Sequence, residues 1–138
     1  MDSLLIKNAK IINEGNIFVG DILIEGEIIS SISNKINIDS RTEVIDADGL
    51  LLIPGMIDDQ VHFREPGLTH KGDISSESKA AIAGGVTSYI EMPNTNPNTT
   101  TIKEFNKKIK IATNNSYSNF SFMFGGTNDN INEIKKID

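Results

Sequence analysis

Cysteine is missing from the 138 residues, and the basic side chains are outnumbered: 13 Lys and Arg stand against 19 Asp and Glu, a net charge of -6. Without thiols there is no disulfide framework and no thiolate metal site, so any metal must take histidine, carboxylate or other oxygen ligands. The acidic balance argues against a nucleic-acid or anionic-membrane surface. No apolar run approaches membrane-spanning length, and the opening Met-Asp-Ser-Leu-Leu-Ile-Lys lacks the basic region and long apolar stretch of a secretion signal. A cytoplasmic location is the default expectation. What is present is ordinary for a folded chain, 38% hydrophobic and 23% charged, so disorder is not favoured.

Residues 3 to about 53 read as short strands rich in Ile and Val, separated by turns. Leu4-Leu5-Ile6 and Ala9-Lys10-Ile11-Ile12 precede turn chemistry at Asn13-Glu14-Gly15-Asn16. Phe18 to Ile24 pairs naturally with Glu27 to Ile32 across Glu25-Gly26, a tight hairpin signal. Val44-Ile45-Asp46-Ala47 and Leu50-Leu51-Leu52-Ile53 follow. From Pro54 the pattern becomes strand, helix, strand, helix, strand, the βαβ signature of a parallel sheet. A helix is expected from Asp73 or Ser75 to Ala83, capped by either and stopped at Gly84-Gly85. Strands over 87–92 and 119–124 flank a helix over 102–112. Its apolar face holds Ile102, Phe105, Ile109 and Ala112, with Lys103, Lys107, Lys108 and Lys110 as a solvated surface. Residues 129–137 open another helix.

The most informative stretch runs from Pro54 to Gly67, a short buried strand opening into a loop with a histidine, an arginine and an acid. Strict alternation puts Asp58, Gln60 and His62 on one face and Ile57, Asp59 and Val61 on the other. A polar face holding an imidazole suits a barrel strand whose end lines a reaction site.

This segment resembles the first metal-binding strand of the amidohydrolase superfamily, usually Asp-x-His-x-His. Its continuation, His62-Phe63-Arg64-Glu65-Pro66-Gly67, narrows the likeness to class I dihydroorotases. Three further blocks follow in that family's order. They are Thr69-His70-Lys71-Gly72-Asp73, Ala80 to Thr87, and Met92-Pro93-Asn94-Thr95-Asn96-Pro97. The likeness implies the N-terminal part of a small, composite β-sandwich domain over residues 1–53 and the first three β/α units of a metal-dependent (β/α)8 TIM barrel over residues 54–138. A complete barrel needs about 250 residues. The chain is therefore expected to be an incomplete portion with no catalytic residue of its own, inactive and prone to aggregation alone.

The resemblance also implies site roles. His62 would bind one or two Zn2+ ions, and Gln60 stands where the family's first metal histidine is usual. An amide oxygen is a neutral, hard ligand, and zinc prefers imidazole nitrogen. Gln60 therefore ligates weakly, bonds to a ligand, or marks loss of a metal. Arg64 and Asn94 would hold the substrate carboxylate, a task for which a planar guanidinium is suited. Asp58 would support the metal face through hydrogen bonds. On bare chemistry, Arg64 could instead pair with Glu65 or Asp73, Asn94 could serve as a turn residue, and His62 could be a hydrogen-bonded turn histidine. His70 and Asp73 read as loop or capping residues.

The reaction implied is reversible hydrolysis of a cyclic amide, dihydroorotate to N-carbamoyl-L-aspartate, in pyrimidine biosynthesis. Partners would be that small substrate, with a homodimer or association with aspartate transcarbamoylase as options. Two alternatives remain: a noncatalytic relative serving as a structural partner of aspartate transcarbamoylase, which Gln60 favours, and another cyclic amidohydrolase such as an allantoinase, which Arg64 disfavours.

Overall fold

Residues 3–137 are described by a computed structural model. They divide into two compact units meeting between Pro54 and Gly55. The first holds β1 (Ser3–Asn13), β2 (Asn16–Glu25), β3 (Ile28–Ser33), β4 (Glu43–Asp46) and β5 (Leu51–Leu52). Strands β1, β2 and β3 form an antiparallel meander, and β4 and β5 both join β1 in parallel. Glu14 and Gly15 between β1 and β2 both have positive φ, which matches the twist of a tight hairpin.

The two strand pieces expected before residue 13 are one strand, irregular between Ile6 and Ala9, where Asn8 has φ 60°. The Asn8 amide donates to Asp21 Oδ1 at 3.0 Å, and the Ile36 amide to Oδ2 at 2.9 Å. Asp21 is thus a buried carboxylate with a backbone donor on each oxygen. Ala9, Ile11, Ile22 and Ala47 form the core of this unit. The five strands form one sheet, with β4 and β5 extending the β1 edge.

The second unit holds β6 (Met56–Val61), α1 (Ile74–Ala83), β7 (Val86–Glu91), α2 (Ile102–Asn115), β8 (Asn119–Phe122) and α3 (Ile131–Ile134). The strands are parallel in the order β6-β7-β8, so each helix returns the chain to the adjacent strand, as in a β/α repeat. Asp73 caps α1 by accepting the Ser76 amide at 2.8 Å, and Gly85, at φ 89°, turns the chain into β7. Thr101 caps α2 by accepting the Glu104 amide at 3.2 Å. Helix α2 continues three residues past the expected end, β8 stops two residues early, and α3 is a single turn.

Phe63, Ile74, Tyr89, Ala112 and Phe122 form the core between sheet and helices, joined by Val61, Phe105 and Phe120. The Phe63 and Tyr89 rings lie 4.4 Å apart. The solvated lysine face expected on α2 holds for Lys103, Lys107 and Lys110. It fails at Lys108, whose side chain is 1% exposed. Position 108 follows Phe105 by three and precedes Ala112 by four, which places it on the apolar stripe.

Candidate active site

The site is built where β6 and β7 end. The register pairs Asp58 with Tyr89 and Val61 with Glu91, three steps on β6 against two on β7. This extra residue is a bulge, and it overturns the strict alternation that grouped Asp58 with Gln60 and His62. The Asp58 carboxylate accepts the Gln60 amide at 3.1 Å, so it braces the bulge. The Gln60 side chain is exposed and has no hydrogen bond among the described residues. Beyond the bulge, Val61 and Phe63 both pack into the helix-side core. Alternation then directs His62, which is exposed, to the opposite side.

His62 Nδ1 lies 3.1 Å from Asn94 Oδ1. An amide oxygen only accepts, so with Oδ1 as the partner Nδ1 is the donor, and the neutral imidazole of that tautomer has its Nε2 lone pair available to a metal or a donor. The same bond leaves the Asn94 amide nitrogen free to donate. His62 and Asn94, read separately from the sequence, are therefore one unit in space.

Arg64 adopts φ 72°, the left-handed region in which a side chain is strained. Its amide donates to Glu91 Oε1 at 3.0 Å and its carbonyl accepts from the Leu68 amide at 3.1 Å. The carboxylates with which it could have paired are engaged elsewhere. Glu65 accepts the Ile74 amide at 2.9 Å, and Asp73 caps α1. The guanidinium forms no ion pair among the described residues. The loops after β6 and β7 are joined directly by the Asn96 amide, which donates to the Pro66 carbonyl at 3.1 Å. Gly67 (φ 84°) lies so close to Asn96 that a Cβ would meet its carbonyl oxygen at 1.9 Å.

Two residues here escaped the sequence reading as parts of the site. Glu91 and Lys108 form an ion pair at 2.9 Å, each side chain 1% exposed. Lys108 Nζ also donates to the Met92 carbonyl at 3.1 Å and sits 4.8 Å from the Phe122 ring centre. Burial raises the Glu91 carboxyl above its ordinary value and lowers the Lys108 ammonium below its own; their mutual attraction only partly offsets this. The signal available in the sequence was a charge on each of two apolar faces, since Tyr89 and Glu91 share a face of β7.

Among the described residues, no three His, Asp or Glu side chains lie close enough together to hold a metal ion. The donor set fits zinc only in part: His62 Nε2 is one suitable nitrogen, its ring oriented by Asn94 as metal-bound imidazoles are oriented by a second partner. Gln60 adds at most a neutral oxygen. A zinc site would need further ligands.

A family model described as dihydro-orotase-like matches residues 49–119. The chain is 50% identical over 112 residues to a dihydroorotase of Carboxydothermus hydrogenoformans, covering 78% of this chain and 26% of that one. It is 39% identical over 137 residues to a dihydroorotase of Methanosarcina acetivorans, covering 99% and 29%. Among solved structures, an L-hydantoinase (dihydropyrimidinase) from Arthrobacter aurescens superposes with a TM-score of 0.92 at 33% identity, covering 99% of this chain and 30% of that one. The chain thus spans less than a third of the length of these relatives.

Proposed function

Because the chain belongs to the dihydro-orotase-like family, we propose that its second unit is the substrate-holding front of a zinc-dependent cyclic amidohydrolase interconverting L-dihydroorotate and N-carbamoyl-L-aspartate in pyrimidine biosynthesis. In this reading β6, β7 and β8 are the first three strands of a (β/α)8 barrel, and the first unit belongs to the accompanying β-sandwich. The observation that carries the reading is the Arg64 guanidinium, which has no ion pair among the described residues while the acids beside it are engaged elsewhere. An uncommitted guanidinium suits a carboxylated substrate, and a planar carboxylate can accept two parallel hydrogen bonds from it. In this reading the Asn94 amide donates to the same group, and His62, held through Nδ1 by Asn94, supplies Nε2 as a metal ligand. The chemistry that zinc supplies when bound is polarisation of the ring carbonyl and activation of water. Arg64 and Asn94 contribute orientation, which by itself removes much of the entropic barrier. Hydantoinase-like structures share the fold, so substrate choice falls to these side chains.

The test is zinc content and dihydroorotate turnover of the complete polypeptide that carries this sequence, with and without Arg64→Ala. The expected outcome is bound zinc and a loss of about 100-fold in kcat/KM on substitution. Turnover unchanged by Arg64→Ala defeats the carboxylate role. Gln60, in place of a metal histidine, favours a second reading as a noncatalytic structural partner of aspartate transcarbamoylase. Absence of both zinc and turnover would decide for it.

A further inference from the structure

The buried ion pair beneath the site has no part in the chemistry just described, yet it touches every segment that carries a substrate-holding residue. Glu91 uses both carboxylate oxygens: Oε1 takes the amide of Arg64, and Oε2 faces Lys108. Lys108 reaches from α2 to the carbonyl of Met92, two residues before Asn94, and lies over Phe122 of β8. We propose that Glu91 and Lys108 are a positioning pair that sets the spacing of Arg64 and Asn94, and hence the fit of a substrate carboxylate between them.

The physical case has three parts. A buried ion pair is a poor stabiliser compared with apolar side chains of equal volume, because both charges lose their hydration. What such a pair supplies is direction: a charged partner at a fixed place is tied to one geometry, where an apolar contact tolerates sliding. Second, Arg64 sits in a left-handed conformation, which persists only where the surroundings over-determine it. The Glu91 carboxylate is the group that receives the strained residue's amide. Third, the lysine binds the Met92 carbonyl as well as the Glu91 carboxylate, so its place is defined by two groups at the end of β7 and not by one charge. The inference rests on the dihydroorotase reading only for the identity of the substrate.

The experiment compares Glu91→Gln, Lys108→Met and the double variant in the complete polypeptide. Gln keeps an acceptor for the Arg64 amide and drops the charge, and Met keeps the lysine stem and drops the ammonium. Each single variant strands one buried polar or charged group, whereas the double variant leaves neither charge behind. Deuterium uptake is followed in the peptide holding Phe63 and Arg64 and in one holding Ser88 and Tyr89, alongside KM and kcat for L-dihydroorotate. Each single variant is expected to speed uptake at Phe63–Arg64 about tenfold more than at Ser88–Tyr89. KM should rise about tenfold while kcat changes by less than about threefold, and the double variant, which strands no charge but lacks the pair's direction, should keep both effects; their recovery in the double variant overturns the positioning role.

Uptake that rises equally in both peptides, or in neither, overturns the positioning role. If uptake responds as expected while the unsubstituted protein does not turn over dihydroorotate, the reaction reading fails and the positioning role stands. Should the single variants not fold, Lys108→Arg decides: it keeps the charge but changes reach and geometry. It must raise uptake at Phe63–Arg64 selectively, and failure to do so overturns the proposal.

Discussion

At the scale of single residues, Arg64 combines two properties that can be separated by substitution. Its guanidinium has no ion pair among the described residues, and its backbone lies at φ 72°. Arg64→Ala removes the charge but keeps a Cβ in the left-handed region, whereas Arg64→Gly removes both charge and strain. Glycine is therefore expected to be the more stable variant by about 1 kcal/mol in denaturant unfolding, with equal loss of carboxylate binding. Equal stability would show that the backbone is not strained at this position. Tyr89 offers a second test. Its hydroxyl bonds to Ser116 Oγ at 3.3 Å, and burial pushes its phenol from 10.0 up to about 12. The folded state then holds the proton more tightly than the unfolded chain. That contribution is complete below pH 10 and is lost as pH rises toward 12. A shift of this size corresponds to about 3 kcal/mol. Unfolding measured between pH 9 and pH 12 should show a decline that is shallower in Tyr89→Phe.

Among elements, the two loops that carry Arg64 and Asn94 are held to each other as well as to their strands. Gly67 lies against the Asn96 backbone, and the Asn96 amide reaches Pro66. Gly67→Ala forces a Cβ against the Asn96 carbonyl oxygen and adds a side chain at positive φ. The expected result is a loss of about 2 kcal/mol in unfolding free energy, with faster proteolysis in residues 64–70. A change below about 0.5 kcal/mol would mean that the loops separate without cost. The elements themselves were largely legible beforehand. Asp73 and the Gly84-Gly85 stop, read from the sequence, encode the bounds of α1 through contacts within a few residues, and Thr101, which caps α2, emerged only in the structure. The bulge in β6 was not legible, because it exists only relative to the register of β7. The same holds for Lys108, whose acid partner lies on a strand before α2 begins.

For the molecule as a whole, exposed apolar side chains dominate behaviour. Met56 and Ile57 on β6 are 58% and 68% exposed, and Ile17, Val19, Ile28 and Ile29 are exposed on the first unit. Within the three-stranded sheet, β6 and β8 each have one strand neighbour. Strand edges and apolar patches of this kind associate. The 138 residues expressed alone should therefore elute above monomer size and melt without a sharp transition. A monomeric product with a cooperative melt would show that these surfaces need no cover.

The sequence by itself determined the βαβ order, the helix caps, the lack of thiol chemistry and the kinds of side chain available at the strand ends. These follow from local backbone preferences and side-chain chemistry, which act within a few residues. It also carried, through His62 to Gly67 and Met92 to Pro97, the family to which the chain belongs. Tertiary structure decided which groups meet. It joined His62 to Asn94 across 32 positions, buried Lys108 against Glu91, and put a bulge in β6 between Asp58 and Val61. Each of these depends on strand register and on the crossing of a helix over a sheet, and no local preference encodes such long-range geometry.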